Sequence, residues 1–259
     1  MTDRPHGLLS ARDYLPHLRR DVAGFVDAVS SGSMDAPVAA CPGWTLGDLV
    51  DHLGRVHRQV VSILTTGVNP GYRNVVGAPP GADLARWYAE GAERFLATLA
   101  DTDPERPCDS HQPGNRRAGY WYRRQAHEVG VHRADADLAA GRDVSYDAAL
   151  AADGIAEVLD VWLPRLAGVS GGPEPVHAPV LLVCADRAER WLVDLGDAVR
   201  PATRGPVLPA DPERVAAVRV AGTASDLLLA LWRRGGGHAL RVEGDNRTGA
   251  AFLETRFTP

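Results

Sequence analysis

Residues 126–135 read AHEVGVHRAD, and how this stretch is laid on a helix decides how the rest of the chain is read. It looks like the zinc-protease motif H-E-x-x-H with one residue too many. An α-helix advances about 100° per residue, so positions four apart lie about 40° from each other and positions five apart about 140°. Glu128 and His132 therefore share a face, and His127 does not. The protease reading fails because its second His would have to stand at Val131. What remains is E-x-x-x-H on a single helix, a carboxylate and an imidazole able to close on one divalent ion from the same side.

Two ligands hold an ion poorly, so a third is expected from a neighbouring helix. His52, in DLVDHLGRVH, is the best candidate, because it falls beside Leu49, Leu53 and Val56, where an unpaired imidazole is costly. His57 is five residues further on and turned away from it. A His52, Glu128, His132 set with an open fourth position suits catalytic zinc, and the same ligands also serve non-haem iron and other divalent ions. Asp48, one turn before His52, and Asp135, three residues after His132, are placed to accept from the imidazoles and fix their tautomers. The bland reading stands beside this one: surface helices carry Glu and His four apart without a metal, and a lone bundle His is commonly a core residue. Arg123, Arg124 and Arg133 are candidates to contact an anionic substrate but read mostly as a solvated helix face, Trp44, Trp87, Trp121 and Trp162 read as core or interface, and Cys41 as structural.

Outward from this stretch, the first half of the chain reads as four helices. In YLPHLRRDVAGFVDAV, Tyr14, Leu18, Val22, Phe25, Val26 and Val29 recur at three- and four-residue intervals on one stripe. Pro42 and Gly43 then break the chain, and Thr45 with Asp48 forms a capping box that opens a helix ending at Gly67. DLARWYAEGAERFLATLA is a third helix, and the fourth runs from about 118 to Gly141. Four helices of about 20 residues, each with an apolar stripe, imply a bundle. Loops 67–82 and 101–118 are long and rich in Gly and Pro, as active-site loops often are, yet carry no recognition code.

After about residue 145 the texture changes. One more helix, SYDAALAADGIAEVLDVWLPRLAG, precedes the strand-like runs APVLLVCA, RWLVDL, AAVRVAG and HALRVEG, with TASDLLLALWRR as a helix between the last two. The expected division is a bundle over 1–145 and a small α+β domain over 146–259.

The bulk properties bound the function. With 45% apolar and 24% charged residues the chain is that of a globular protein, and no apolar run approaches the ~20 residues of a membrane span. A net charge of −5 gives no footprint for nucleic acid, although all 28 basic residues are Arg. Three widely spaced cysteines, Cys41, Cys108 and Cys184, argue against a disulfide framework or a Cys-rich zinc site. No export signal is evident at MTDRPHGLLSARDYL, so a cytoplasmic location is expected, as a monomer or homodimer.

At CPGWTLGDLVDHLG followed by QAHEVGVHRADADLAAG, the chain resembles the mycothiol-dependent maleylpyruvate isomerase family, a branch of the DinB-like metal-binding proteins. The family pattern is a Pro-Gly-Trp turn opening a helix with D-L-x-x-H-L, then a helix carrying E-x-x-x-H-R-x-D. VAGTASDLLLALWRRG and LRVEGD resemble its sterol-carrier-like C-terminal domain, so the likeness covers nearly the whole chain. It implies a DinB-like four-helix bundle followed by a sterol-carrier-like α+β domain, His52, Glu128 and His132 as ligands of zinc or another divalent metal, and mycothiol as thiol cosubstrate. An arginine of the C-terminal domain matters for the family's isomerase activity. Its best match here is Arg234, with Arg233 and Arg241 as alternatives.

The chemistry implied is a zinc-dependent S-transferase or isomerase acting on a small electrophilic, carboxylate-bearing, maleylpyruvate-like substrate. A hydrolase using zinc-bound water, and a non-catalytic, metal-stabilised binding module, are the alternatives.

Overall fold

The computed structural model describes residues 9–112, 114–166, 176–195, 202–204, 208–235 and 237–258. Leu9–Val144 and Ser145–Pro259 belong to two separate compact units.

The first unit is the expected set of four helices: α1 (Tyr14–Ser31), α2 (Leu46–Thr66), α3 (Leu84–Asp101) and α4 (Gly119–Ala139). Helix α1 packs on α4 and α3, and α2 on α3 and α4, which closes a bundle. The α1 stripe is buried at Tyr14, Leu18, Val22, Phe25 and Val29, as its spacing predicts. On α2 the buried face is wider than the apolar residues alone suggest. It takes in Leu46, Leu49, Val50, Leu53, His57, Val60, Ile63 and Leu64, with Val56 only partly covered. Gly54 belongs to that face because a Cβ there would lie 2.1 Å from the Trp87 ring of α3, so the glycine admits the indole between the helices.

Helix α4 departs most from a surface helix. Its residues are buried on nearly every side, including Arg123, Arg124, Gln125, His127, His132, Asp135 and Asp137. The expectation of a solvated arginine face is therefore corrected. Arg133 donates to Asp137 at 2.7 Å and faces Asp21 at 3.2 Å, and Arg124 donates to Glu128 at 2.9 Å. Arg124 and Arg133 are tolerated in this enclosure because each has an opposite charge within contact.

The second unit is α+β. Helix α5 (Ala148–Glu157) runs through a π-turn at Val158–Trp162 into α6 (Leu163–Leu166). The extra residue in the turn falls just before Pro164, which has no N–H to continue the α-helical ladder. Strands β1 (Val176–Cys184), β2 (Arg190–Leu195), β3 (Thr203–Arg204), β4 (Val218–Gly222) and β5 (Arg241–Gly244) form one mixed sheet in the order β3-β2-β1-β4-β5. Among the described strands only the β1–β4 pair is parallel. Helices α8 (Ala224–Leu231) and α9 (Asn246–Glu254) pack on this sheet, and α5 packs on α8. The short α7 (Pro212–Val215), β3 and α9 go beyond the sequence reading; α9 is capped by the Asp245 carboxylate, which accepts from Arg247 N. No described helix is long and apolar enough to cross a membrane.

Candidate metal centre

His52 is set in place by the turn before α2. Gly43 adopts φ +84°, open to glycine and strained for other residues, which lets the chain reverse between Val38 and Trp44, whose backbones are hydrogen-bonded at 2.9 Å. The turn lays the Trp44 ring 5.0 Å from the His52 ring. The capping box then starts the helix: Thr45 Oγ1 accepts from Asp48 N at 3.2 Å, and Asp48 Oδ2 accepts from Thr45 N at 2.8 Å. About two turns after Thr45, His52 points toward α4.

Glu128 and His132 stand one turn apart on α4 and meet His52 there. Glu128 Oε1 lies 3.3 Å from His52 Nε2 and 3.5 Å from His132 Nε2, and the two imidazole rings are 5.1 Å apart and nearly perpendicular. One donor atom from each of the three lies within 4.8 Å of the others. Charge-assisted hydrogen bonds are shorter than this, about 2.7–2.9 Å. Donors held about 2 Å from one tetrahedral zinc lie about 3.3 Å from one another, close to both observed separations. The donor set and its spacing thus fit a shared divalent cation. His127 is directed elsewhere, edge-on to Tyr14 of α1 with ring centroids 6.1 Å apart.

The outer partners of the three groups differ. His132 Nδ1 is 3.0 Å from Asp135 Oδ2, the placement read from the sequence, and the same oxygen lies 3.9 Å from the Cys41 thiol. Asp48 does not serve His52 in this way, which corrects that expectation: its carboxylate is taken up by Thr45 in the helix cap. Behind His52 stands the Tyr72 hydroxyl, 3.1 Å from Nδ1. The free oxygen of Glu128, Oε2, accepts from Arg124. Sequence reading missed Tyr72 and the role of Arg124. Arg124 has a legible signal, since it stands four residues before Glu128, whereas Tyr72 sits in a loop with no period to read.

Electrostatics follow these contacts. Burial works to raise the Glu128 carboxyl, but hydrogen bonds from His132 and His52 and the Arg124 charge hold it well below the usual carboxylate range. Burial also disfavours a charged His132, yet its bonds to Asp135 and Glu128 raise its pKa to about 9. In the metal-free protein a proton therefore supplies the positive charge that two carboxylates demand, and a cation competes with it for Nε2.

Arg234, the residue matched to the family's arginine, lies in the second unit just after α8. Its backbone N–H donates to Leu229 O at 2.8 Å, and its guanidinium donates to Trp232 O at 2.7 Å. Arg233 holds a left-handed turn with φ +57°, and Arg233 and Arg241 are exposed.

Comparison with known proteins agrees with this anatomy. Residues 15–137 match the family model described as the mycothiol maleylpyruvate isomerase N-terminal domain, and residues 149–251 match the MDMPI C-terminal domain. Among solved structures, the chain is similar to the mycothiol-dependent maleylpyruvate isomerase and to its H52A mutant. Each is 13% identical with a TM-score of 0.62, over 91% of this chain and 93% of theirs. At that identity the likeness establishes the fold alone. No curated protein matches the chain.

Proposed function

The chain belongs to the mycothiol-dependent maleylpyruvate isomerase family, and from that premise we propose that it is a zinc-dependent, mycothiol-using S-transferase or isomerase. Residues 1–145 act as the DinB-like metal-binding bundle, and 146–259 as the C-terminal domain. The substrate is a small electrophile bearing a carboxylate, such as a maleylpyruvate-like compound, and the enzyme works in the cytoplasm as a monomer or homodimer. The observation that carries the reading is that Glu128 Oε1 lies 3.3 Å from His52 Nε2 and 3.5 Å from His132 Nε2, in a group whose donor atoms lie within 4.8 Å of one another.

His52 and His132 present Nε2 as neutral donors, and Glu128 contributes a single negative charge, so a bound dication keeps a net positive charge. A zinc ion held there would stabilise a coordinated thiol as its thiolate at neutral pH. Arg124 takes Glu128 Oε2 and leaves Oε1 for the metal. Asp135 accepts the Nδ1–H of His132 and fixes the ring so that Nε2 is the nitrogen that would exchange its proton for the metal.

With a cis-enone substrate, a C–S bond forms at the activated alkene carbon while the π electrons move onto the carbonyl. Rotation about the new single bond and reversal of the addition leave the trans isomer and return the thiol. Where the enolate instead takes up on carbon the proton that the thiol gave up, the adduct is retained and the same addition is an S-transfer. Arg234 is assigned to the substrate carboxylate as a planar, bidentate partner.

Among the described residues three protein donors gather here, which supports a site with an exchangeable position that a closed structural zinc would lack. Purified protein should carry about one zinc per chain, and His52→Ala should lose both the metal and thiol-dependent turnover. Full activity in a metal-free His52→Ala protein would sink this reading, and turnover without added thiol would move it to hydrolysis.

A further inference from the structure

Each imidazole of the cluster turns Nε2 inward and Nδ1 outward, so each needs a group behind it that accepts a proton from Nδ1. For His132 that group is the Asp135 carboxylate, fixed on the same helix. For His52 it is the hydroxyl of Tyr72, 3.1 Å from Nδ1, with the two rings 5.6 Å apart.

Tyr72 is brought there by a loop that is anchored along its length. Asp51, Arg55 and Gln59 are spaced four apart on α2 and form one polar stripe beside His52. Asp51 Oδ1 accepts from Ala78 N at 2.7 Å, while its other oxygen accepts from Arg55 Nε at 2.8 Å. Arg55 in turn donates to Val75 O at 3.3 Å, and Gln59 donates to Asn69 Oδ1 at 2.8 Å. At the far side, Asn69 N donates to Asp109 Oδ2 at 2.9 Å. Gly77 permits the close approach, since a Cβ there would meet the Arg55 guanidinium at 2.4 Å and Asp51 Oδ1 at 2.5 Å. Tyr72 opens a single 3-10 turn (Tyr72–Asn74) within this span.

We infer that Tyr72 is a positioning residue for His52: its hydroxyl oxygen accepts the Nδ1–H of the imidazole and holds Nε2, without a proton, toward Glu128 and His132. The inference rests on the metal reading above. A carboxylate can only accept, whereas a phenol both donates and accepts. Tyr72 is also 36% exposed, where Asp135 is 1% exposed. His52 is accordingly held by a neutral partner on a loop, and His132 by a charged, buried one on a helix.

Tyr72→Phe removes the hydroxyl and keeps the ring. Its zinc affinity, read by competition with a chromophoric chelator, should fall on the order of 10-fold. In proton NMR of the zinc-loaded protein, the downfield Nδ1–H signal of His52 should be lost to solvent exchange while that of His132 persists. Asn74→Ala removes the bond from Asn74 Nδ2 to Pro70 O, 2.7 Å long, that steadies the same turn, and leaves the phenol in place. It should bind zinc like the wild type.

Wild-type zinc affinity with a persistent His52 signal in Tyr72→Phe overturns the inference. An equal loss of affinity in Asn74→Ala also overturns it, because loop order and not the phenol would then be responsible. A wild-type protein that takes up no zinc is the separate failure of the metal reading, and the inference falls with it.

Discussion

Helix α2 carries two histidines five residues apart whose surroundings could hardly differ more. At His52 both ring nitrogens are engaged, Nδ1 by Tyr72 and Nε2 by Glu128. At His57, which is fully buried, neither nitrogen meets a hydrogen-bond partner among the described residues. Its ring is stacked on Phe95 at 4.3 Å and tilted against Tyr88 at 5.3 Å. Burial without a partner lowers the His57 pKa to about 3, so this imidazole stays neutral and acts as an aromatic core residue. Histidine is thus a donor on one face of α2 and a hydrophobe on the other, and the rotation of about 140° between positions five apart separates the two roles.

The largest effect that tests this contrast is on zinc. His52→Ala should cost at least about 100-fold in affinity, or ~3 kcal/mol, as loss of one of few ligands requires. His57→Phe should leave zinc binding unchanged, and a matching loss in that variant would break the comparison.

The next effect is on stability against pH. In the unfolded chain His57 titrates near 6.5, in the folded protein near 3. Below 6.5 the unfolded state therefore takes up a proton that the folded state refuses. The stability tied to a neutral His57 is whole above pH 6.5 and is lost as the pH falls. Between pH 6.5 and 4.5 the loss should reach about 2–3 kcal/mol. Urea titrations of wild type and His57→Phe at the two pH values measure it, since only the wild type should show this component.

Gly54, between the two histidines, sharpens the comparison on the packing side. Gly54→Ala drives a methyl into the Trp87 ring and should destabilise the protein by about 1–3 kcal/mol, seen as a lower thermal midpoint and altered Trp fluorescence. The smallest effect belongs to Asp48. Asp48→Ala removes half of the capping box and should cost about 1 kcal/mol by urea titration, with zinc affinity unchanged because this carboxylate is bonded to Thr45.

Much of the fold was legible because it depends on local periodicity. The α1 stripe, the Thr45–Asp48 cap, the stop near Gly67 and the run RWLVDL each appear where spacing and turn chemistry place them. The family likeness points the same way. The shared face of Glu128 and His132 follows from helix geometry alone, and His52 was within reach because an imidazole at the edge of an apolar stripe needs a partner. His57 was not seen as buried, because the polar class of a residue masks its use as an aromatic. The arginines of α4 were misplaced for a related reason: a charged residue reads as solvated until the carboxylate that neutralises it is known.

By itself, then, the sequence determined the four helices of the bundle, the apolar stripe of α1 and the shared face of Glu128 and His132, since those depend on the chain's own repeat of 3.6 residues. Only the tertiary structure decided which groups stand behind the cluster. Tyr72 reaches His52 from a residue 20 positions away, and Cys41 reaches Asp135 from 94 positions away. Such contacts are selected by the packing of helices and by hydrogen bonds that anchor a loop, and these leave no periodic trace along the chain.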